Sequence, residues 1–117
     1  MKPRLLYKID STDDATASKC AGIFRDGTDS DARRIYRGAR NTLYDVADSE
    51  GHHLCVKHFR KAKFPNSYIY TTLRHSKARR SYEHAARLLS LGFLTPRPLA
   101  WSERRKGLKL LDSYYIC

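Results

Sequence analysis

The fold is decided by residues 42–59, which read TLYDVADSEGHHLCVKHF. Residues 42–47 and 53–59 are rich in apolar, aromatic and β-branched side chains, which favour strands, and the stretch between them is polar. Gly51 lies in that polar stretch, where a hairpin needs a residue that tolerates positive φ. The segment therefore predicts two antiparallel strands joined by a tight turn.

A further strand is predicted on the N-terminal side of this hairpin. Residues 33–37 read RRIYR and are followed by Gly38. We expect Gly38 to lie in the first connection of the meander and Gly51 in the second, each where a hairpin needs a residue that tolerates positive φ. Residues 33–59 therefore predict a three-stranded antiparallel meander.

Residues 1–32 are interpreted as an N-terminal extension to this domain. Small and polar residues are concentrated between residues 10 and 31, and a turn-like cluster surrounds Gly27. Cys20, Ile23 and Phe24 share the spacing of one helical face, which predicts a short helix over residues 15–24.

A helix and two strands are predicted after the meander. Ser76 is a suitable N-cap and Gly92 a suitable terminator, so the helix is expected over residues 77–91. Residues 97–103 and 108–116 read as strands joined by a polar turn. The predicted fold class is α+β, an antiparallel sheet of about five strands with one packed helix. The helix predicted over residues 77–91 has an apolar face, formed by four side chains at helical spacing: Tyr82, Ala85, Ala86 and Leu89.

The charge of the chain restricts its partners. The 117 residues include 23 Lys and Arg against 12 Asp and Glu, a formal net charge of +11, and such a field attracts phosphate-rich partners. Nucleic acid, a nucleotide, an anionic membrane face and a phosphorylated glycolipid all remain open on charge alone. The stretch 51–82 contains no acidic residue and eight basic ones: Lys57, Arg60, Lys61, Lys63, Arg74, Lys77, Arg79 and Arg80.

The cysteines and histidines exclude other classes of site. Cys20, Cys55 and Cys117 are widely spaced and form no C-x-x-C pair, which argues against a disulfide framework and a cysteine zinc site. The five histidines lack the spacing of a helical zinc site, so no metal site is expected. No long apolar run occurs, so we expect a cytoplasmic protein with at most peripheral contact at the inner membrane.

The order of the predicted elements directs attention to two residues. Three strands, an interrupting helix and two closing strands are the order of a protein-kinase N-lobe, where a lysine of the third strand meets a helix glutamate. Lys57 ends the run LCVK in the third strand, and Glu83 lies on the helix that follows. A carboxylate from a separate element can hold the ammonium in place over the α- and β-phosphates of a nucleotide.

Each residue also has an ordinary explanation. A lysine that ends an apolar strand in a chain this basic is most often a solvated surface side chain. Glu83 lies four residues from both Arg79 and Arg87, so pairs along the helix surface explain it adequately. Only the order of the elements and the wider sequence favour the kinase interpretation.

The wider sequence resembles the lipopolysaccharide kinase family, which phosphorylates Kdo or heptose sugars of the inner core. The resemblance covers about residues 35–117 and implies a kinase-like N-lobe over residues 33–117 whose helix is of the αC type. It implies ATP as cofactor and a lipopolysaccharide inner-core sugar as acceptor in a complete family member. The matching strings are GARNTLY (38–44), VKHF (56–59), SKARRSYE (76–83), LGFLTPRP (91–98) and DSYYI (112–116).

The resemblance places the nucleotide-binding residues at Lys57, Glu83, Gly38, Arg40 and Asn41. Only Gly38 stands where a eukaryotic-type kinase has repeated glycines, so Arg40 is expected to act as a phosphate clamp.

Catalysis and Mg binding would need aspartates from a second lobe. Because no H-x-D with a spaced Asn and no D-F-G occurs, no catalytic or metal-binding residue is assigned. The chain alone is expected to bind ATP weakly at most, to be inactive and to self-associate through the face that a second lobe would cover.

A small nucleic-acid-binding protein is the alternative. Phe64, Tyr68 and Tyr70 lie among the basic residues and could stack on bases, although core packing of a helix explains these aromatics as well. The same basic stretch could dock on anionic lipid, which would suit a glycolipid substrate, and a solvated charged face is the ordinary explanation.

Overall fold

The described residues form a six-stranded antiparallel sheet with two helices. The structure is a computed structural model and describes residues 4–28, 32–38, 41–60, 76–106 and 109–117. The strand order is β1-β5-β6-β4-β3-β2, and all neighbouring pairs are antiparallel. The α+β class is as predicted. The elements are β1 (Arg4–Ile9), α1 (Asp14–Asp26), β2 (Arg33–Arg37), β3 (Asn41–Ala47), β4 (His53–Phe59), α2 (Lys77–Ser90), β5 (Ala100–Lys106) and β6 (Lys109–Ile116).

The two helices pack on opposite faces of the sheet, which we call the α1 face and the α2 face. Successive residues of a strand point to opposite faces, so Tyr114 lies in the core of the α1 face and Tyr115 in the core of the α2 face. Ala78 and Tyr82 of α2 cluster with Trp101 and Tyr115 on the α2 face. The core of the α1 face consists of Cys20, Ile23, Phe24, Val46, Leu54, Val56, Ala100, Tyr114 and Ile116.

Helix α1 is longer than predicted but buries the predicted face. The Asp13 side chain caps its start by accepting hydrogen bonds from the backbone N–H groups of Ala15 and Thr16, at 3.0 and 3.3 Å. Gly27, with φ of 83°, ends the helix. Cys20, Ile23 and Phe24 are all buried against the sheet, which confirms the i, i+3, i+4 interpretation.

Helix α2 has the predicted caps and ends one residue early. The Ser76 side chain accepts a hydrogen bond from the Arg79 N–H at 3.1 Å. At the other end Gly92 has φ of 89°, and backbone bonds from Gly92 to Leu89 and from Phe93 to Leu88 form a Schellman motif. In the described parts of the chain, neither helix is long and apolar enough to cross a bilayer.

Two predictions about the strands are wrong. Residues 4–9 belong to the predicted N-terminal extension, but they form a strand, β1. This strand pairs with β5, about ninety residues away. Its side chains are almost all exposed, so no alternation of apolar and polar residues marks it. β5 begins at Ala100 and not at residue 97, because Pro98 lacks the N–H that a strand ladder needs.

The two hairpin glycines serve different purposes. Gly51 has φ of 85°, as predicted. Gly38 does not have positive φ, so that prediction is wrong. Space there is tight instead, since a Cβ would lie 2.9 Å from the Asn41 Oδ1 and 3.0 Å from a ring carbon of Tyr36, so these side chains would have to shift.

Candidate functional site

Lys57 lies on the central strand β4 and points to the α2 face. Its Nζ is 5.9 Å from the centroid of the Tyr115 ring, and Tyr115 belongs to the core that α2 covers. Lys57 stands directly opposite Tyr115 in the β4–β6 register, so the two side chains share a face. Among the described residues, no carboxylate forms a salt bridge with Lys57. Its ammonium therefore keeps its charge available to a ligand.

Glu83 lies on the exposed side of α2 and pairs with Arg79, one turn earlier in the helix. Its Oε1 pairs with the Nε of Arg79 at 3.1 Å, and the guanidinium of Arg79 lies 4.8 Å from the centroid of the Trp101 ring on β5. Glu83 thus belongs to the helix that packs on the face of Lys57, but among the described residues no salt bridge joins the two. The Lys57–Glu83 pair stays a prediction.

A basic pocket lies where α2 meets the end of β4. It has a volume of about 250 Å³. Phe59 follows Lys57 by two residues and so points to the same face. Guanidinium and ammonium groups bind phosphate by charge-assisted hydrogen bonds. The pocket can therefore accept an anion close to Lys57. Its lining residues are Phe59, Lys77, Arg80, Ser81 and His84.

The turn between β2 and β3 carries the remaining predicted site residues. The Gly38 N–H donates to the Asn41 carbonyl at 2.8 Å and closes the turn. Asn41 stands opposite Phe59 in the β3–β4 register, which places both on the face of Lys57. Arg40 lies outside the described residues.

Arg60 supports this turn and was not predicted as a site residue. Its guanidinium donates to the Gly38 carbonyl and to the Thr42 hydroxyl, so it fixes the turn to the start of β3. Arginine presents several donors in a rigid plane, which suits such a double contact. The one sequence signal for this role is the position of Arg60 directly after β4. Because β4 is the hairpin partner of β3, β4 ends near the β2–β3 turn.

A buried carboxylate holds the start of α2. Glu103 of β5 is only 1% exposed, and its Oε2 accepts a hydrogen bond from the Ser76 N–H at 2.8 Å and another from Arg105 at 3.3 Å. Burial alone would raise the pKa of Glu103, but the hydrogen bonds from Ser76 and the charge of Arg105 lower it. Glu103 therefore stays ionised and fixes α2 against β5.

The α1 face has a pocket of about 260 Å³ whose charges are paired with one another. Asp112 accepts a hydrogen bond from His58 at 3.0 Å and two from Arg104 at 2.9 and 3.1 Å. The His58 ring stacks on Tyr114 with centroids 4.3 Å apart. Because these groups satisfy each other and join β4, β5 and β6, we interpret them as a structural cross-link.

A second polar cluster joins α1 to the β3–β4 turn. Asp48 is buried and accepts hydrogen bonds from Thr16 at 2.8 Å and from the backbone and ring of His52 at 2.9 Å. Burial alone would raise the pKa of Asp48, but these hydrogen bonds hold it well below its usual range. Asp13, Glu50 and His52 offer ligand atoms within 4.8 Å of one another, a grouping that sequence spacing does not reveal.

The α2 face thus offers an anion a basic pocket and two lysines, Lys57 and Lys8. Lys8 lies over the Tyr82 ring as Lys57 lies over that of Tyr115, and contact with a ring leaves the positive charge in place. Comparisons of the chain with models of protein families, with curated proteins and with solved structures find no match.

Proposed function

We propose that this chain is the nucleotide-holding N-lobe of a kinase-like protein of the lipopolysaccharide kinase type. In a complete protein it would serve phosphoryl transfer from ATP to an inner-core sugar. The observation that carries the proposal is the position of Lys57, on a central strand and on the face against which α2 packs. A kinase N-lobe needs its phosphate-binding lysine and its helix on one face of the sheet.

The residues near Lys57 fit the phosphate groups of a nucleotide. The basic pocket beside Phe59 offers further positive charge, and Asn41 borders the same face. Arg60 donates a hydrogen bond to the Gly38 carbonyl and so fixes the end of β2. These groups bind and orient phosphate, whereas Mg binding and phosphoryl transfer require carboxylates from a second lobe. The chain itself is therefore proposed to bind ATP without turning it over.

More observations support the proposed role of Lys57 than that of Glu83. Glu83 already pairs with Arg79, so it would have to exchange that partner to hold Lys57. An exposed pair of this kind contributes about 0.3–0.5 kcal/mol, so the exchange costs little. We propose that Glu83 reaches Lys57 only when a nucleotide and a second lobe are bound.

The far end of α2 supports a missing partner. Five large apolar side chains are exposed there, and Leu94 is fully exposed. A patch of this kind on a small domain marks a contact surface. It suits either the second lobe or another copy of the chain, in agreement with the expected self-association. The five are Leu88, Leu89, Leu91, Phe93 and Leu94.

The test compares Lys57→Ala with Lys106→Ala, which removes an exposed lysine of β5. ATP at ten times its Kd should stabilise the wild-type chain by about 1.4 kcal/mol, measured as a rise in Tm. Lys57→Ala should abolish that rise, and Lys106→Ala should retain it. Inorganic tripolyphosphate should reproduce part of the rise, since Lys57 recognises phosphate and not the base.

Two results would overturn the proposal. The first is a wild-type chain whose Tm does not respond to ATP at millimolar concentration. The second is an ATP response that survives in Lys57→Ala at full size, because the site would then lie elsewhere.

A second candidate, nucleic-acid binding, is favoured by the edge strand β2. All five of its side chains are exposed, including Arg33, Arg34, Arg37 and Tyr36. Cations beside an exposed aromatic ring suit a single strand of nucleic acid. Tight binding of a short oligonucleotide that weakens steeply with salt and is lost in Arg34→Ala, without any ATP response, would favour this candidate.

A further inference from the structure

Cys55 and Cys117 lie directly opposite each other at the end of the β4–β6 ladder. The N–H of each donates to the carbonyl of the other at 3.0 Å, which continues the register of Val56 with Ile116. Residues paired in this way have Cα atoms about 5.5 Å apart and side chains on the same face. That separation lies within the range of about 4.4–6.8 Å that a disulfide spans.

The two thiols are close together and within reach of a reagent. They share a hydrogen bond, and both residues are half-buried. Lys57 and Tyr115 are their neighbours on the α2 face, and each of the two interacts with the Cys117 thiol. Cys20, the third cysteine, is fully buried in the opposite core. The chain therefore contains one accessible thiol pair and one inaccessible thiol that can serve as an internal control.

We propose that Cys55 and Cys117 form a redox modification site that reacts with a small-molecule disulfide of the glutathione type and closes to an intramolecular disulfide. One protein thiolate attacks a sulfur of the oxidant, which forms a mixed disulfide and releases one reduced thiol. The second protein thiolate displaces the remaining half as another reduced thiol. Two protein thiols are thereby oxidised, one oxidant disulfide is reduced to two thiols, and both protons end on the released thiols.

The geometry makes this bond reversible. Cβ atoms of opposite residues lie about 4.5–5.5 Å apart, whereas a disulfide requires about 3.5–4.5 Å, so the strands must move slightly toward each other. A disulfide closed under such strain is reduced more easily than an unstrained structural one. Burial and the neighbouring Cys55 raise the pKa of Cys117 to about 11. Closure is accordingly slow at neutral pH and accelerates as the pH rises.

The experiment treats the full chain with excess oxidised glutathione at pH 8.5 and blocks remaining thiols under denaturing conditions. Two of the three thiols should be lost, and the intact mass before blocking should fall by about 2 Da, with no glutathione retained. Tryptic mapping should join residues 41–57 to residues 110–117 and leave Cys20 blocked as a free thiol. Dithiothreitol should restore all three thiols.

Two variants keep the proposal falsifiable. Cys20→Ala should still form the bond, and if it fails to fold, the wild-type map alone locates the bond. Cys55→Ser should stop at a mixed disulfide on Cys117 or remain reduced. A wild-type chain that keeps three thiols, retains glutathione, links to a second chain or bonds through Cys20 would overturn the proposal.

Discussion

The two faces of the sheet differ in where their cations lie, although the α2 face also contains paired charges such as Arg79–Glu83 and Arg105–Glu103. On the α1 face, Asp112 is paired with His58 and Arg104, and near the start of α1 Asp48 accepts hydrogen bonds from Thr16 and His52. On the α2 face, Lys8 and Lys57 contact aromatic rings, which leave their charge in place. The α1 face thus pairs its described charges within the fold, whereas the α2 face also presents lysines that contact only aromatic rings.

The two helices repeat this contrast. α1 lies on a continuous apolar core and buries its predicted face completely. α2 is fixed at its start by Glu103, while its last turn presents exposed leucines. A helix anchored at one end and uncovered at the other is suited to an interface. The α1 face should therefore govern stability, and the α2 face should govern binding.

The largest change in stability is expected from Phe24→Ala, which tests whether the α1 face is the main core. Phe24 packs between Tyr7 and Tyr114, with centroids 6.3 Å from each, and is buried in the core of the α1 face. Removing the ring should lower the free energy of unfolding by about 3–5 kcal/mol, measured by urea denaturation. The ATP response of the folded fraction should persist. A loss below about 1 kcal/mol would mean that the α1 face is not the main core.

A smaller effect is expected from Glu103→Ala, which removes the anchor of α2. The buried Ser76 N–H and Arg105 lose their acceptor, so the free energy of unfolding should fall by about 1.5–3 kcal/mol. Glu83→Ala is the matched control on the exposed side of the same helix and should cost about 0.3–0.5 kcal/mol. Equal losses in urea denaturation would contradict the anchoring role of Glu103.

Glu83→Ala also tests the role of Glu83 in the proposed function. If Glu83 holds Lys57 only when a second lobe is present, the isolated chain with this substitution should bind ATP as the wild type does. A loss of ATP response comparable to that of Lys57→Ala would instead mean that the pair forms in the isolated chain.

Local signals predicted much of this fold and little of its site. The meander and α2 follow from alternation, glycine turns and the Ser76 and Gly92 caps, all of which depend on neighbours in sequence. β1 left no such signal, because its partner β5 lies far along the chain and its side chains are exposed.

The site depends on register, which sequence does not reveal. The order of the predicted elements indicates Lys57 as a candidate residue, but only the β4–β6 pairing shows that it lies over Tyr115. The same pairing brings Cys55 opposite Cys117, although spacing alone argued against a disulfide. The side of α2 that bears Glu83 likewise depends on which residues meet Trp101.

The smallest expected effect is a change in the pH dependence of stability at His52. Hydrogen bonding and charge from Asp48 raise the pKa of His52 above its ordinary value of 6.5, so its stabilisation is present below pH 6.5 and is lost as pH rises through the folded pKa. The pKa of Asp48 is lowered from 3.8, so its stabilisation is present above that value and is lost as pH falls through the folded pKa. The Tm should therefore be highest between these values.

His52→Ala should remove the alkaline side of this dependence and leave the acidic side. The Tm difference from the wild type should be largest near pH 5 and should shrink toward pH 9, because the wild-type imidazole loses its charge as the pH rises through its folded pKa. His53→Ala is the matched control, because His53 is more exposed and pairs with Asp45 on the strand surface. If both variants change Tm equally at the two pH values, the Asp48–His52 pair does not couple α1 to the β3–β4 turn through charge. The charge-balanced description of the α1 face would then rest on Asp112 and its partners alone.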